Sequence, residues 1–165
     1  MKQYKLVNNL MGWLVFAVAA VVYCLTIESS ASFWDCPEFI TTASKLEVGH
    51  PPGAPFFMLT GNFFTLFTSN PEHIAVCINV MSALLSAFCI LFLFWTITHL
   101  ARKLVCKDGI VTDTWQTVLI MGAGLTGALA YTWSDTFWFS AVEGEVYGYS
   151  SMFTALVFWL ILKWE

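Results

Sequence analysis

The run IAVCINVMSALLSAFCILFLFWTITHL, Ile74–Leu100, contains no Asp, Glu, Lys or Arg. A helix that is apolar all round must be buried in a large protein core or in lipid. A chain of 165 residues has too small an interior to hide one of this length. Crossing a hydrocarbon core about 30 Å thick takes roughly 17–25 helical residues, and this run supplies them. It reads as a transmembrane helix, and the rest of the chain can be read outward from it.

Three further runs are free of charged side chains: Leu10–Ile27, Trp115–Trp133 and Val146–Leu162. Hydrophobic residues make up 58% of the chain and charged residues 11%, against about 25% charged in a soluble domain. The expected fold is all-α and polytopic, with four transmembrane helices. The apolar run of Leu10–Ile27 is too long for a cleavable signal, and no small-x-small cleavage site follows it, so it reads as a signal anchor. A net charge of -4 provides no basic footprint for nucleic acid.

Basic residues orient the spans. Lys2 and Lys5 precede the first, Arg102, Lys103 and Lys107 separate the second from the third, and Lys163 follows the fourth. Alternating spans put all of them on one face, which the positive-inside rule assigns to the cytoplasm. Lys45 alone lies across the membrane, with Glu28, Asp35, Glu38, Glu47, Glu72, Asp135, Glu143 and Glu145. The N-terminus is therefore expected in the cytoplasm, and the loop 28–73 on the far side. Five cysteines imply no closed disulfide framework. Cys36 and Cys77 both lie near the outer face, where they read as separate thiols or as a pair.

The loop 28–73 is not a plain connector. Asp35-Cys-Pro-Glu38 reads as a helix start, with Asp35 as N-cap, Pro37 in the first turn and Glu38 reaching back as a capping box. Trp34 and Phe39 occupy the positions of a hydrophobic staple. Phe39, Ile40, Ala43 and Leu46 recur at helical spacing, predicting a helix along the membrane surface. Gly49-His-Pro-Pro-Gly53 stops it. Phe56–Thr68 is apolar but only about 20 Å long as a helix, so it is expected to enter the interface without crossing.

Gly122-Ala-Gly124-Leu-Thr-Gly127 matches a dinucleotide-binding pattern, but no strand precedes it and it lies within a span. Small residues there are better read as a site of close helix approach. The chemical candidates are carboxylates. Asp35 and Glu38 sit beside Trp34 at an apolar boundary, where incomplete solvation raises the cost of ionisation. Capping alone would also account for both. Glu143, Glu145 and Tyr147 form a second cluster on the same face and could share one cleft with the first. His50 and His73 could join the carboxylates around a divalent metal.

Trp34-Asp35-Cys-Pro-Glu38-Phe39, Ala43, Leu46 and His50-Pro51-Pro52-Gly53-x-Pro55 together resemble the first external loop of the GT-C superfamily. These are membrane glycosyltransferases that use polyprenyl-phosphate sugars. The closer resemblance is to a family of bacterial polytopic proteins similar to a eukaryotic transmembrane protein O-mannosyltransferase. Ala141-Val-Glu143-Gly-Glu145-Val-Tyr147 resembles that family's second external loop. The resemblance implies that Asp35 is the catalytic base and Glu38 the second acidic position. It also implies that His50, Glu143, Glu145 and Tyr147 line the substrate cleft.

By the same resemblance, residues 1–165 are the N-terminal part of a GT-C-like transmembrane domain in a bacterial inner membrane, with the first loop periplasmic. The implied reaction moves a hexose, with mannose expected, from a polyprenyl phosphate to a hydroxyl of an exported protein. GT-C modules carry seven conserved spans against four here, and later loops hold the donor phosphate. On the outer face Lys45 is the one Lys or Arg available to a departing phosphate, so a divalent ion is a possible cofactor. A non-catalytic membrane protein that binds a lipid or partner is the alternative reading. A transporter fits less well, because the spans lack the midplane charges that transporters use.

Overall fold

The computed structural model describes residues 2–164, and among them every regular element is helical. In chain order the α-helices are α1 (Lys2–Leu25), α2 (Cys36–Lys45), α3 (Pro55–Thr65), α4 (Ile74–Val105), α5 (Thr114–Thr132), α6 (Asp135–Ala141) and α7 (Val146–Trp164). Short 3-10 turns precede and follow α4. The protein is an all-α polytopic membrane protein. Among the described residues three helices, α1, α4 and α7, have the length and apolarity to cross a membrane. They expose Leu6, Leu10, Leu14, Val21, Val157, Leu160 and Ile161, side chains that would be a liability in water and are ordinary in lipid.

Both long helices outrun the apolar stretches that predict them. α1 begins at Lys2 rather than Leu10, and α4 continues to Val105 rather than ending at Leu100. Lys and Arg are good helix formers, so a membrane boundary stops the apolar run without stopping the helix. α4 is the central element, and α1, α5 and α7 each pack along it. Its inward face buries Ile78, Met81, Ala83, Ala87, Ile90, Leu91 and Phe94.

α5 lies antiparallel to α4. Gly124 faces Phe94 and Thr98, while further along α5 Gly127 faces Ile97. A Cβ at position 124 would stand 2.6 Å from Thr98 Cγ2 and 2.8 Å from the Phe94 ring. Gly124 and Gly127 thus let two backbones approach, as small residues do in membranes, whereas Gly122 faces open space. α5 is 19 residues long, about 28 Å at helical rise, but its ends (Thr114-Trp-Gln-Thr117 and Tyr131-Thr132) are polar.

α2 and α3 form a hairpin at one end of the bundle, packed on α4. α3 has 11 residues, about 16 Å, well short of a bilayer. Its Gly61 lies against Ala43 of α2, and Asn62 Nδ2 donates at 3.1 Å to the carbonyls of both Ala43 and Ser44. One side chain thus serves the orphan carbonyls at the C-terminus of α2. The outer side of α3 presents Phe56, Leu59, Phe63, Leu66 and Phe67. At the same end the second loop forms the short helix α6.

Candidate functional site

The structure corrects the sequence reading of the start of α2. Asp35 is the N-cap residue, but its φ/ψ of -85°/-9° is already helical and its side chain makes no capping hydrogen bond. A side chain leaving a helical N-cap is poorly aimed at the N–H groups that a β-region N-cap serves. Glu38 does not reach back either. The staple is also absent: Trp34 has φ of 62° and is 88% exposed, while Phe39 is buried on the opposite side. Leu46, expected on the apolar face, ends the helix in a left-handed conformation and is exposed.

Both carboxylates are therefore free for other partners. The chain reverses at Leu46 and again at Gly53, whose φ of +82° suits a residue without a Cβ. That path carries His50 back over the start of α2. Glu38 Oε1 accepts from the His50 backbone N–H at 2.7 Å, and Oε2 lies 3.0 Å from His50 Nδ1. His50 Nε2 lies 3.8 Å from Asp35 Oδ2. These bonds from His50, first its backbone N–H and then its ring, lower the pKa of Glu38. The Glu38 bond, followed by its charge, raises that of His50. The three side chains offer ligand atoms within 4.8 Å of one another, a spacing that a divalent ion can bridge. His73 is not in this group. Lys45 sits at the far end of α2, about 15 Å along the axis, so His50 rather than Lys45 stands beside the carboxylates.

The second acidic cluster arrives from α6 and the turn before α7. Glu28 N–H donates to Val142 O at 3.0 Å, and the buried Asn79 of α4 donates to Glu28 O and Ser30 O at 2.8 and 3.1 Å. Ser32 Oγ donates to Glu143 Oε2. Gly144 seats the turn, since a Cβ there would meet Ile40 of α2 at 3.0 Å and Ile78 of α4 at 3.1 Å. Glu143 and Glu145 are consequently buried at 3% and 5% exposure.

Burial raises the pKa of Glu143, and the Glu28 charge adds to the rise. Burial, then the charges of Glu143 and Asp35, push Glu145 up to about 7. Glu145 Oε2 is enclosed and has no hydrogen-bond partner.

The two clusters meet in one cavity of about 150 Å³. Asp35, Glu143 and Glu145 give it an acidic wall, and Trp34, Phe139 and Tyr147 an aromatic one. Among the residues singled out from sequence, Asp35, Glu143, Glu145 and Tyr147 line this space. Glu38 and His50 stand just outside it, holding each other. Trp34, Phe139 and Ser140 also line it. Trp34 lines this space rather than serving as the expected staple. Nothing local in the sequence brings Phe139 or Ser140 to this space.

Residues 35–165, from the first carboxylate of the cavity onward, match the family described as the Protein O-mannosyl-transferase TMEM260 N-terminal domain. The chain belongs to this family. It is 28% identical over 148 residues to the Protein O-mannosyl-transferase tmem260 of Dictyostelium discoideum, covering 89% of this chain and 16% of that protein. It is 28% identical over 152 residues to Protein O-mannosyl-transferase TMEM260 of Mus musculus, covering 92% of this chain and 19% of that protein. The chain thus spans less than a fifth of the length of these curated relatives. No solved structure matches it.

Proposed function

We propose that this chain forms the acceptor-activating part of a GT-C-type membrane glycosyltransferase, a protein O-mannosyltransferase. It transfers a hexose, with mannose as the expected sugar, from a polyprenyl phosphate to a hydroxyl of an exported protein. The observation that carries this reading is the convergence of Asp35 with two buried glutamates in one cavity, within the segment that matches the family. The relatives' names supply the reaction class.

Transfer from a lipid phosphate expels a phosphate anion, a leaving group that scarcely needs a general acid. The demanding step is removal of the acceptor hydroxyl proton as the hydroxyl oxygen attacks the sugar's anomeric carbon. Asp35 is half-exposed at the cavity and free of capping duty, so it can reach a hydroxyl entering there. Glu145 beside it is partly protonated near neutral pH. Its neutral form relieves the repulsion that three ionised carboxylates would create. In this reading Glu38 acts through His50, fixing the loop that borders the site. Glu143, Glu145 and Tyr147 position the acceptor.

The membrane arrangement proposed with it has α5 as a fourth span and the N-terminus in the cytoplasm. The acidic end then faces the periplasm of a bacterial inner membrane. Asp35, Glu38 and His50 are the residues that would hold a divalent ion, and such an ion would supply positive charge for a departing phosphate. Loss of activity on chelation, restored by Mg²⁺ or Mn²⁺, is the expected sign of it.

The test is Asp35→Asn in the full-length protein, assayed for sugar transfer to an exported acceptor. Transfer should fall by roughly 10²-fold or more with little change in melting. Full activity in this variant would end the assignment of Asp35 as base.

A further inference from the structure

We propose that a second site, at the basic end of the bundle and remote from the acidic cavity, binds the phosphate group of an anionic lipid. A cavity of about 530 Å³ lies there over α4, between α1 and α7, within the size range of small-ligand sites. α1 contributes Lys5, α4 contributes Arg102 and α7 contributes Lys163, and no Asp or Glu is among the lining residues. The positive-inside rule accounts for the sign of these charges. It does not account for cations from three separate helices surrounding one hollow.

Arg102 Nε is buried and has no protein acceptor. A buried, unpaired donor on a charged group is costly, and a phosphate oxygen is the acceptor that a guanidinium suits best. Trp95, Trp159 and Leu162 supply the apolar part of the lining. Trp95 and Trp159 pack with ring centroids 5.1 Å apart, and Lys163 Nζ lies 5.8 Å from the Trp159 ring centre. Cationic groups at the helix ends with an aromatic and aliphatic wall toward the bilayer match a lipid: phosphate at the boundary, chains alongside α4. Basic pockets between transmembrane helices take anionic headgroups in this way. α7 separates this cavity from Glu145 by its full length of 19 residues, about 28 Å, so the two sites are distinct.

The experiment is native mass spectrometry of the full-length protein in a neutral detergent. The probes are dioleoyl phosphatidylglycerol, dioleoyl phosphatidylcholine and, separately, inorganic phosphate. Phosphatidylglycerol should be retained in preference to phosphatidylcholine. Its affinity should fall roughly tenfold or more in Arg102→Gln and in the Lys5→Gln/Lys163→Gln double variant. Lys5 and Lys163 are exposed, so the double variant should melt as the wild type does without lipid. Lys107→Gln, on the same face but outside the cavity, should bind as wild type. Equal retention of the two lipids, or undiminished phosphatidylglycerol binding in the double variant, would overturn the site. Saturation by inorganic phosphate with no preference for the lipid would overturn the lipid as its occupant.

Discussion

Glu145 has one carboxylate oxygen enclosed without a donor, beside Glu143 and Asp35. The protein therefore holds its proton more tightly when folded, with a pKa of about 7 against 4.5. Stability from that proton is fully present below about pH 4.5 and is lost as the pH rises through 7. Glu145→Gln should remove this dependence. Relative to the variant, the wild type should lose up to roughly 3 kcal/mol between about pH 5 and 8. Melting of both proteins across that range measures it, and parallel curves would sink the account. Glu143 and His50 shift in the same direction, and the Glu145 charge itself contributes the smallest part of the rise at His50. Asp35 gives a second prediction at this scale. A capping carboxylate replaced by Ala costs about 1 kcal/mol. Because Asp35 makes no capping bond, Asp35→Ala and Asp35→Asn should both melt within about 0.5 kcal/mol of wild type. A loss of activity in either then reports chemistry rather than folding.

At the scale of elements, the glycines of α5 separate cleanly. Gly124 has no room for a methyl group, because Phe94 and Thr98 occupy its place, whereas nothing lies within 4 Å of a Cβ at Gly122. Gly124→Ala should destabilise by about 1–3 kcal/mol through overpacking. Gly122→Ala should be neutral, or stabilise by up to about 1 kcal/mol through helix propensity. Gly124→Ala should lower the melting temperature and Gly122→Ala should not; a rise in both would mean that propensity, not α4 packing, governs both sites. The existence of α2, its proline in the first turn and its stop before Gly49 were all legible in sequence. The capping box was not real, although the spacing of Asp35 and Glu38 fits one. Spacing says which groups can meet, but the backbone conformation at Asp35 and the returning loop at His50 decide which do.

For the whole molecule, Lys5, Arg102 and Lys163 gather at one end and Asp35, Glu143 and Glu145 at the other. Cysteines placed singly at positions 45 and 103, in a background lacking native cysteines, should label from opposite sides of the membrane. Position 45 should be reached from outside intact spheroplasts. Labelling of position 103 from outside would reverse the proposed orientation.

Charge-free length alone determined that this chain enters a membrane as helices, because an apolar run of that length satisfies its backbone within itself as a helix, whereas a spanning strand is about half as long. The short length of α3 and the segregation of charge between the two ends were legible for the same reason: each is a count along the chain. Only the tertiary structure decided the cavity. Asp35 and Glu145 are far apart in sequence, and nothing local records that Asn79 ties the first loop to α4 while Ser32 and Glu28 join it to the second loop. Nor does the sequence show that Gly144 lets Glu143 and Glu145 sink against α2 and α4. A carboxylate's chemistry depends on what surrounds it in space, and here those surroundings are assembled from α2, α4, α6 and the turn before α7.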